Sequence, residues 1–196
     1  MRVLIACEFS GRVRDAFARR GHDAWSCDLL LSEMPGNHIQ GDVLKILNDG
    51  WDFMIAHPPC TFLSYAGMGS WNKPGRAEKR QEAFEFFMKF INAPIEKICV
   101  ENPLGYPEKA YRKPDQTIQP FYFMENARKR TCLWLKNLPP LWFTGYRENP
   151  KPLYFDRTTG HARYFTDATN GKNRQHERSR TFLGVAEAMA EQWGIS

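Results

Sequence analysis

Short apolar runs bounded by polar, glycine or proline residues recur through the first two thirds of the chain. Runs of this length are typical of buried strands, because helical segments are longer and show a 3.6-residue period. We therefore predict strands over residues 2–6, 22–29, 52–56, 97–100 and 131–135.

Helical periodicity occurs between these runs and again at the end of the chain. Apolar side chains recur at helical spacing over 13–20, with Gly21 as a stop signal, and over 78–91 as one stripe. A short helix is expected over 43–47, and a longer one over 182–193 that covers the sheet beside the first strand. Strands that alternate with helices indicate an α/β fold with a parallel sheet.

Composition narrows the class of protein. A chain of 196 residues with 42% hydrophobic residues forms one domain with a real core and at most a small appendage. No apolar run approaches the ~20 residues of a membrane span and no secretory pattern is present, so a cytoplasmic protein is expected. The net charge of +5 suits a nucleic-acid partner.

The five cysteines are widely spaced, without a CxxC pair or a Cys/His cluster. This spacing argues against a zinc site and against a disulfide framework, so no metal is expected.

Polar groups follow several of the predicted strands. Asp28 ends the second strand, Cys60 follows the third after a Pro-Pro pair, and Glu101 follows the fourth. Because ligands of open α/β sheets bind outside the carboxyl ends of the strands, a thiol and two carboxylates would meet at one edge. Glu101 would then have a raised pKa and hold a proton near neutral pH. The plain alternatives are a buried, inert Cys60, a Glu101 that caps a helix or pairs with arginine, and a crevice that binds nothing.

The segment 139–180 mixes aromatic and basic residues without a clear period. It fits contact with a nucleic acid and a small β appendage equally well. The basic residues of its last part either contact phosphates or form a solvated loop; they are Lys172, Arg174, Arg178 and Arg180. The predicted organisation is a core over 1–138, the appendage over 139–180, and a C-terminal helix over 181–196 that packs back on the core.

Several motifs stand in one order on these strand ends. They are Phe9-Ser10-Gly11, Asp28, Gly41-Asp42, Pro58-Pro59-Cys60, Glu101-Asn102 and Arg128-Lys129-Arg130. Together they resemble the DNA (cytosine-5)-methyltransferase family, in a small phage-type form that lacks a full target-recognition domain. The resemblance implies a Rossmann-like, S-adenosylmethionine-dependent methyltransferase fold with a small C-terminal appendage.

The resemblance also implies roles for individual residues. Cys60 would add to C6 of a cytosine rotated out of DNA, and Glu101 would hydrogen-bond the base at N3 and its exocyclic amine. Arg128 and Arg130 would favour the thiolate. The implied S-adenosylmethionine site comprises Phe9, Ser10, Gly11, Asp28, Asp42 and Pro58. The implied nucleic-acid contacts are Ser64, Asn102, Lys172, Arg174, Arg178 and Arg180.

The sequence departs from the family pattern at a few positions. Val13 stands where the second glycine of the first loop belongs, His57 precedes the Pro-Pro pair, and Pro103 follows Glu101-Asn102. Two alternatives stay open. One is a cofactor-deficient, DNA-binding or antirestriction decoy, and the other is an enzyme acting on RNA or nucleotides. Target specificity would come from residues 140–180, from a homodimer or from a partner protein.

Overall fold

The computed structural model describes residues 1–145, 148, 150–164 and 174–195, without the side chains of Arg174 and Gln175. Its central sheet has seven strands in the order β3-β2-β1-β4-β5-β7-β6. These are β1 (Arg2–Ala6), β2 (Asp23–Asp28), β3 (His38–Gln40), β4 (Phe53–Ala56), β5 (Lys97–Pro103), β6 (Gln116–Ile118) and β7 (Thr131–Lys136).

All pairings from β3 to β5 are parallel, and β7 runs antiparallel between β5 and β6. This order, with its reversed strand, is that of the Rossmann-like methyltransferase fold. The predicted α/β fold class is therefore confirmed.

Helices cover both faces of the sheet, which explains why residues 3–6 of β1 and 53–56 of β4 are apolar and fully buried. On one face α1 (Arg12–Ala18) and α5 (Leu183–Trp193) pack together over β1 and β4. On the other face α2 (Arg76–Ile91) buries Phe87 and Phe90, and the Phe87 and Trp134 rings pack nearly perpendicular with 5.2 Å between their centroids. The last helix thus lies where its apolar side predicts.

The shortest strands and helices were not predicted from the sequence. Strands β3 and β6 have three residues each, and α3 (Tyr106–Ala110) has five, so none spans enough residues to show a period. Strand β5 is longer than predicted, because pairing with β7 continues through Glu101 and Asn102 to Pro103. Glu101 therefore lies within a strand and not after it.

Glu8 caps the first helix from inside the protein. Its carboxylate accepts the backbone N–H groups of Val13 and Arg14 at 2.8 and 3.2 Å and the hydroxyl of Ser10 at 3.1 Å. The carboxylate satisfies donors of the first turn that have no partner within the helix, at its positive end. Val13, which stands where the family pattern has a glycine, is fully buried and packs in the core.

Arg14 is 1% exposed and holds the connection between β2 and β3. Its guanidinium donates to the carbonyls of Met34 and Pro35 and to the hydroxyls of Ser26 and Ser32. The guanidinium also fills the space beside Gly11, where an added Cβ would lie 2.5 Å from Nη2 of Arg14. The first loop is therefore closely packed.

Beyond the sheet, β8 (Tyr154–Phe155) and β9 (Ala162–Arg163) form a two-stranded ribbon, and α4 (Arg174–Ser179) precedes α5. The ribbon lies within the predicted appendage, whose boundaries remain a prediction. In the described ranges, no helix has both the length and the apolar character needed to cross a bilayer.

Candidate active site

His57 and Glu101 meet at the carboxyl ends of β4 and β5. The two strands pair in parallel with Ala56 opposite Val100, so the residues that follow lie side by side. Nδ1 of His57 lies 3.0 Å from Oε2 of Glu101, and the two side chains are only 8% and 14% exposed. In sequence, His57 is merely a departure from the family pattern, and the one signal of its role is its place directly after a buried strand.

A small cavity lies beside this pair. Lys129, Thr131 and Phe182 line it together with His57 and Glu101, and its volume is about 20 Å³. That volume holds about one water molecule. Any ligand larger than water can therefore enter only if the surrounding side chains move.

Two opposing effects set the charge of Glu101. Burial raises the pKa of the carboxyl group, but the hydrogen bond from His57 and the positive charge of Lys129 outweigh burial. The pKa of Glu101 therefore lies below its usual value, and the expected raised pKa is wrong. The carboxylate is ionised at neutral pH because the fold supplies partners that the sequence pattern does not reveal.

Cys60 is half-buried on the loop that leaves β4. Its carbonyl accepts the N–H groups of Leu63 and Ser64 at 3.0 and 2.9 Å, which closes a backbone turn that begins at this residue. Burial and then the charge of Glu101 raise the pKa of the thiol, while Lys129 and Arg178 act against them. The thiol, the carboxylate and the two cations therefore share one electrostatic environment.

Asn102 and Ser64 support this loop. The Asn102 side chain is fully buried, and its Nδ2 donates to the carbonyl of Pro58, itself buried, at 3.1 Å. Ser64 accepts the N–H of Ala66 at 3.2 Å and bridges to Gly105. Both residues hold the cysteine loop. Asn102 is too buried to touch a nucleic acid in this conformation, whereas the contact predicted for half-buried Ser64 stays a prediction.

Lys129, and neither neighbouring arginine, faces the candidate site. Arg128 hydrogen-bonds the Tyr164 hydroxyl and lies over the Tyr164 ring, 4.5 Å from its centroid. Arg130 is exposed, and both arginines line a separate groove with Gln119 and Tyr122. The predicted pairing of Cys60 with Arg128 and Arg130 is thus replaced by Lys129 and Arg178. Alternation of side chains along the segment that enters β7 explains the exchange.

A second cluster lies at the ends of β1 and β2. Both Asp28 and Asp42 are near enough to Cys7 for their charges to raise the pKa of its thiol, in addition to burial. Cys7 adopts a φ of 58°, an uncommon conformation for a residue with a side chain. Each aspartate uses one carboxylate oxygen as an acceptor for the backbone, Asp28 for Leu30 N and Asp42 for Leu44 N.

The remaining part of the predicted cofactor site is covered. Phe9, Ser10 and Gly11 are buried, and the Phe9 ring stacks on His176 with 4.3 Å between centroids. His176 belongs to residues 174–182, which we call the roof segment. The segment reaches from the Phe9 loop to the cavity beside Glu101, where Phe182 forms part of the lining.

Glu33 fastens the roof segment. Its carboxylate accepts Nε and Nη2 of Arg180 at 2.8 and 2.6 Å and Nε2 of His176 at 2.7 Å. Lys129 donates to the carbonyl of Arg178, and Arg12 to that of Thr181, at 3.0 and 2.9 Å. Arg180, predicted to contact phosphate, is therefore engaged with Glu33 and Glu177.

Two further predicted contacts cannot be placed in this arrangement. Lys172 and the side chain of Arg174 lie outside the described residues. Among the residues that are described, no group of three or more His, Cys, Asp or Glu side chains could hold a metal ion.

Asp28 and Asp42 have the acceptor chemistry that the nucleoside half of S-adenosylmethionine requires. The second oxygen of Asp28 suits the ribose hydroxyls, and that of Asp42 suits an adenine amine, because these ligand groups are donors and ionised carboxylates only accept. The methionine half would need the roof segment to move from Phe9, since that loop is packed from both sides.

No protein-family model and no curated protein matches this sequence. Among solved structures, the chain is similar to a prophage-encoded protein of E. coli provisionally described as a DNA modification methyltransferase. The identity is 14% and the TM-score 0.45, over 68% of this chain and 45% of that one. It is also similar to the Dnmt2 methyltransferase of S. pombe, with 18% identity and a TM-score of 0.43, over 72% of this chain and 51% of that one.

The chain spans about half the length of each of these two structures. At such identities and scores the likeness says nothing about activity. The function is therefore argued from the geometry of the site.

Proposed function

We propose that this protein transfers a methyl group from S-adenosylmethionine to C5 of cytosine in DNA through a covalent adduct with Cys60. The observation that carries the proposal is the proximity of Cys60, on the loop that follows β4, to ionised Glu101, which lies near the carboxyl end of the neighbouring parallel strand β5. A thiol and a carboxylate placed in this way can attack a pyrimidine ring and hold its polar edge.

The base must first leave the duplex, because its reacting carbons are out of reach within the stack. The Cys60 thiolate then forms a bond to C6, and the electron pair displaced toward C5 makes that carbon nucleophilic. Lys129 favours the thiolate by its positive charge. Glu101 accepts a hydrogen bond from the exocyclic amine of the base and so orients the ring.

The cofactor, when bound, supplies an electrophilic methyl group to C5. Asp28 and Asp42 would hold its ribose and adenine. After transfer, the C5 proton is removed by a base and the bond to Cys60 breaks, which restores the aromatic ring and the thiolate.

The test is replacement of the nucleophile. Cys60→Ser should abolish methyl transfer and leave the fold intact, because serine keeps the size of the side chain but lacks the thiolate. Mass spectrometry of DNA nucleosides after expression of each protein would measure 5-methylcytosine. The same yield from the Cys60→Ser variant as from the wild type would exclude the covalent mechanism.

A substrate panel tests the choice of DNA separately. Duplex DNA, single-stranded DNA, transfer RNA and dCMP would be compared with the purified wild-type protein. Transfer to duplex DNA is expected to be the fastest, and exclusive transfer to RNA or dCMP would contradict the DNA assignment.

One structural observation favours the decoy alternative: the Phe9 loop is packed between the roof segment and Arg14. A protein locked in this conformation would bind DNA without the cofactor. Calorimetry distinguishes the two functions, because a methyltransferase releases or absorbs heat on binding S-adenosylmethionine. No heat at millimolar cofactor, together with retained DNA binding, would support the decoy.

A further inference from the structure

His57 is the buried group that the mechanism above leaves unused. Its Nδ1 contacts Oε2 of Glu101 at 3.0 Å, and its Nε2 is buried with no hydrogen-bond partner among the described residues. Buried polar atoms without partners are rare and call for an explanation. The cavity that His57 lines has room for about one water molecule, which would accept a hydrogen bond from a protonated Nε2.

We propose that His57 is a positioning residue that acts through Glu101, holding the carboxylate toward the base and passing it the proton that N3 of cytosine takes up. The inference rests on the proposed function, since it concerns the same base and the same adduct.

Proton transfer from His57 to N3 accompanies the formation of the adduct. When the Cys60 thiolate bonds to C6, negative charge spreads to N3. The Nδ1–H bond of a doubly protonated His57 breaks, the Glu101 carboxylate takes the proton and releases it, and an N3–H bond forms. His57 is left neutral with its proton on Nε2, and Glu101 is again a carboxylate.

The charges around the pair favour a proton held on His57 and an ionised Glu101. Two cations from separate elements act on this site: Lys129, from the segment before β7, acts on both Glu101 and Cys60, and Arg178, from α4, acts on Cys60. Glu101 itself, from β5, acts on the Cys60 thiol of the loop after β4. Glu101 cannot store the proton itself, because Lys129 and the His57 bond stabilise its anion. A histidine behind the carboxylate can store that proton and still keep the carboxylate ionised before the base arrives.

Two variants separate positioning from proton supply. His57→Gln keeps an N–H that can bond Glu101 but has no transferable proton, whereas His57→Ala removes both. Methyl transfer to duplex DNA would be measured against pH for each variant and for the wild type. The protonation of His57 would be followed by NMR of the imidazole nitrogens.

We expect the wild-type rate to fall on the alkaline side in step with the loss of the imidazole proton that NMR records. His57→Gln should lower kcat by about 10²-fold, the lower range for loss of a positioned proton donor, and should lose that alkaline limb. An unchanged kcat and pH profile in both variants would overturn the proposal.

Alkylation of Cys60 tests the role of His57 without methyl transfer, so this measurement does not depend on the proposed function. The charge of Glu101 raises the pKa of Cys60, so the pH profile of Cys60 alkylation, measured by mass spectrometry of its peptide, reports that charge. His57→Ala should let Glu101 take up a proton at higher pH and so speed alkylation near neutral pH, whereas His57→Gln should match the wild type. If the wild type methylates no DNA, the proposed function fails, but an alkylation profile unaffected by His57→Ala overturns the role of His57 by itself.

Discussion

Three consecutive basic residues, 128–130, have three different environments. Arg128 lies on Tyr164, Lys129 reaches the carbonyl of Arg178 beside the candidate site, and Arg130 is exposed. In the sequence, the three residues differ little, because each carries one positive charge. Which of them acts on Cys60 depends on the direction of each side chain as the segment enters β7.

We expect Lys129→Met to slow the alkylation of Cys60 severalfold at a given pH near neutrality. Lys129 lowers the pKa of the thiol against burial and the Glu101 charge, so its loss raises that pKa and leaves less thiolate. Iodoacetamide labelling followed by mass spectrometry measures the effect.

Arg130→Met is the matched control, because it removes an equal charge from the adjoining position. Its labelling rate at Cys60 should equal that of the wild type. If both variants slow labelling equally, the effect comes from net charge and not from the position of Lys129.

At the scale of elements, the attachment of the roof segment to the rest of the protein depends on the carboxylate of Glu33. Hydrogen bonds from Arg180, then from His176, lower the pKa of Glu33 to about 2 despite partial burial. The pKa is depressed in the folded protein, so the attachment contributes fully above the ordinary value of about 4.5. It is lost as the pH falls from there toward about 2.

We expect Glu33→Gln to release the roof segment at neutral pH, because the amide carries no charge to hold Arg180. Hydrogen exchange of the peptide covering 174–182 should increase in the variant, whereas the wild type should show the same increase only in acid.

Glu177→Gln serves as the control. It removes the other acidic partner of Arg180 within α4 but keeps the contacts of Glu33. If hydrogen exchange of the roof segment increases in Glu177→Gln and not in Glu33→Gln, then Glu33 does not hold the roof segment.

At the scale of the whole molecule, ligand binding should be visible as stability. A ligand that binds only the folded state raises the free energy of unfolding by about 2.7 kcal/mol at a hundred times its Kd. We therefore expect S-adenosylmethionine to raise the thermal midpoint of the wild type and to raise it much less in Asp28→Asn. The asparagine keeps an oxygen for Leu30 N but loses the acceptor for the ribose.

Asp49→Ala is the control for this measurement. Asp49 is exposed and precedes β4, so it lies at the amino ends of the strands, whereas Asp28 lies at the carboxyl end of β2. An equal rise in all three proteins would place the cofactor away from Asp28.

The sequence by itself determined the central strands, the helices α1, α2 and α5, and the placement of Asp28, Cys60 and Glu101 near strand ends. Apolar run length and helical period are local properties, and a buried parallel sheet requires both. The short strands β3 and β6 have no such pattern, because they exist only through pairing with their neighbours.

Only the tertiary structure decided what those strand-end residues contact. The His57–Glu101 bond follows from the parallel register of β4 and β5, and the lowered pKa of Glu101 follows from that bond and from Lys129, a residue on a different element. The closure over Phe9 depends on Glu33 and Arg180, which are 147 positions apart. Charges so distant in sequence act on one another only after folding brings them together, so a local sequence pattern cannot reveal which of them become neighbours.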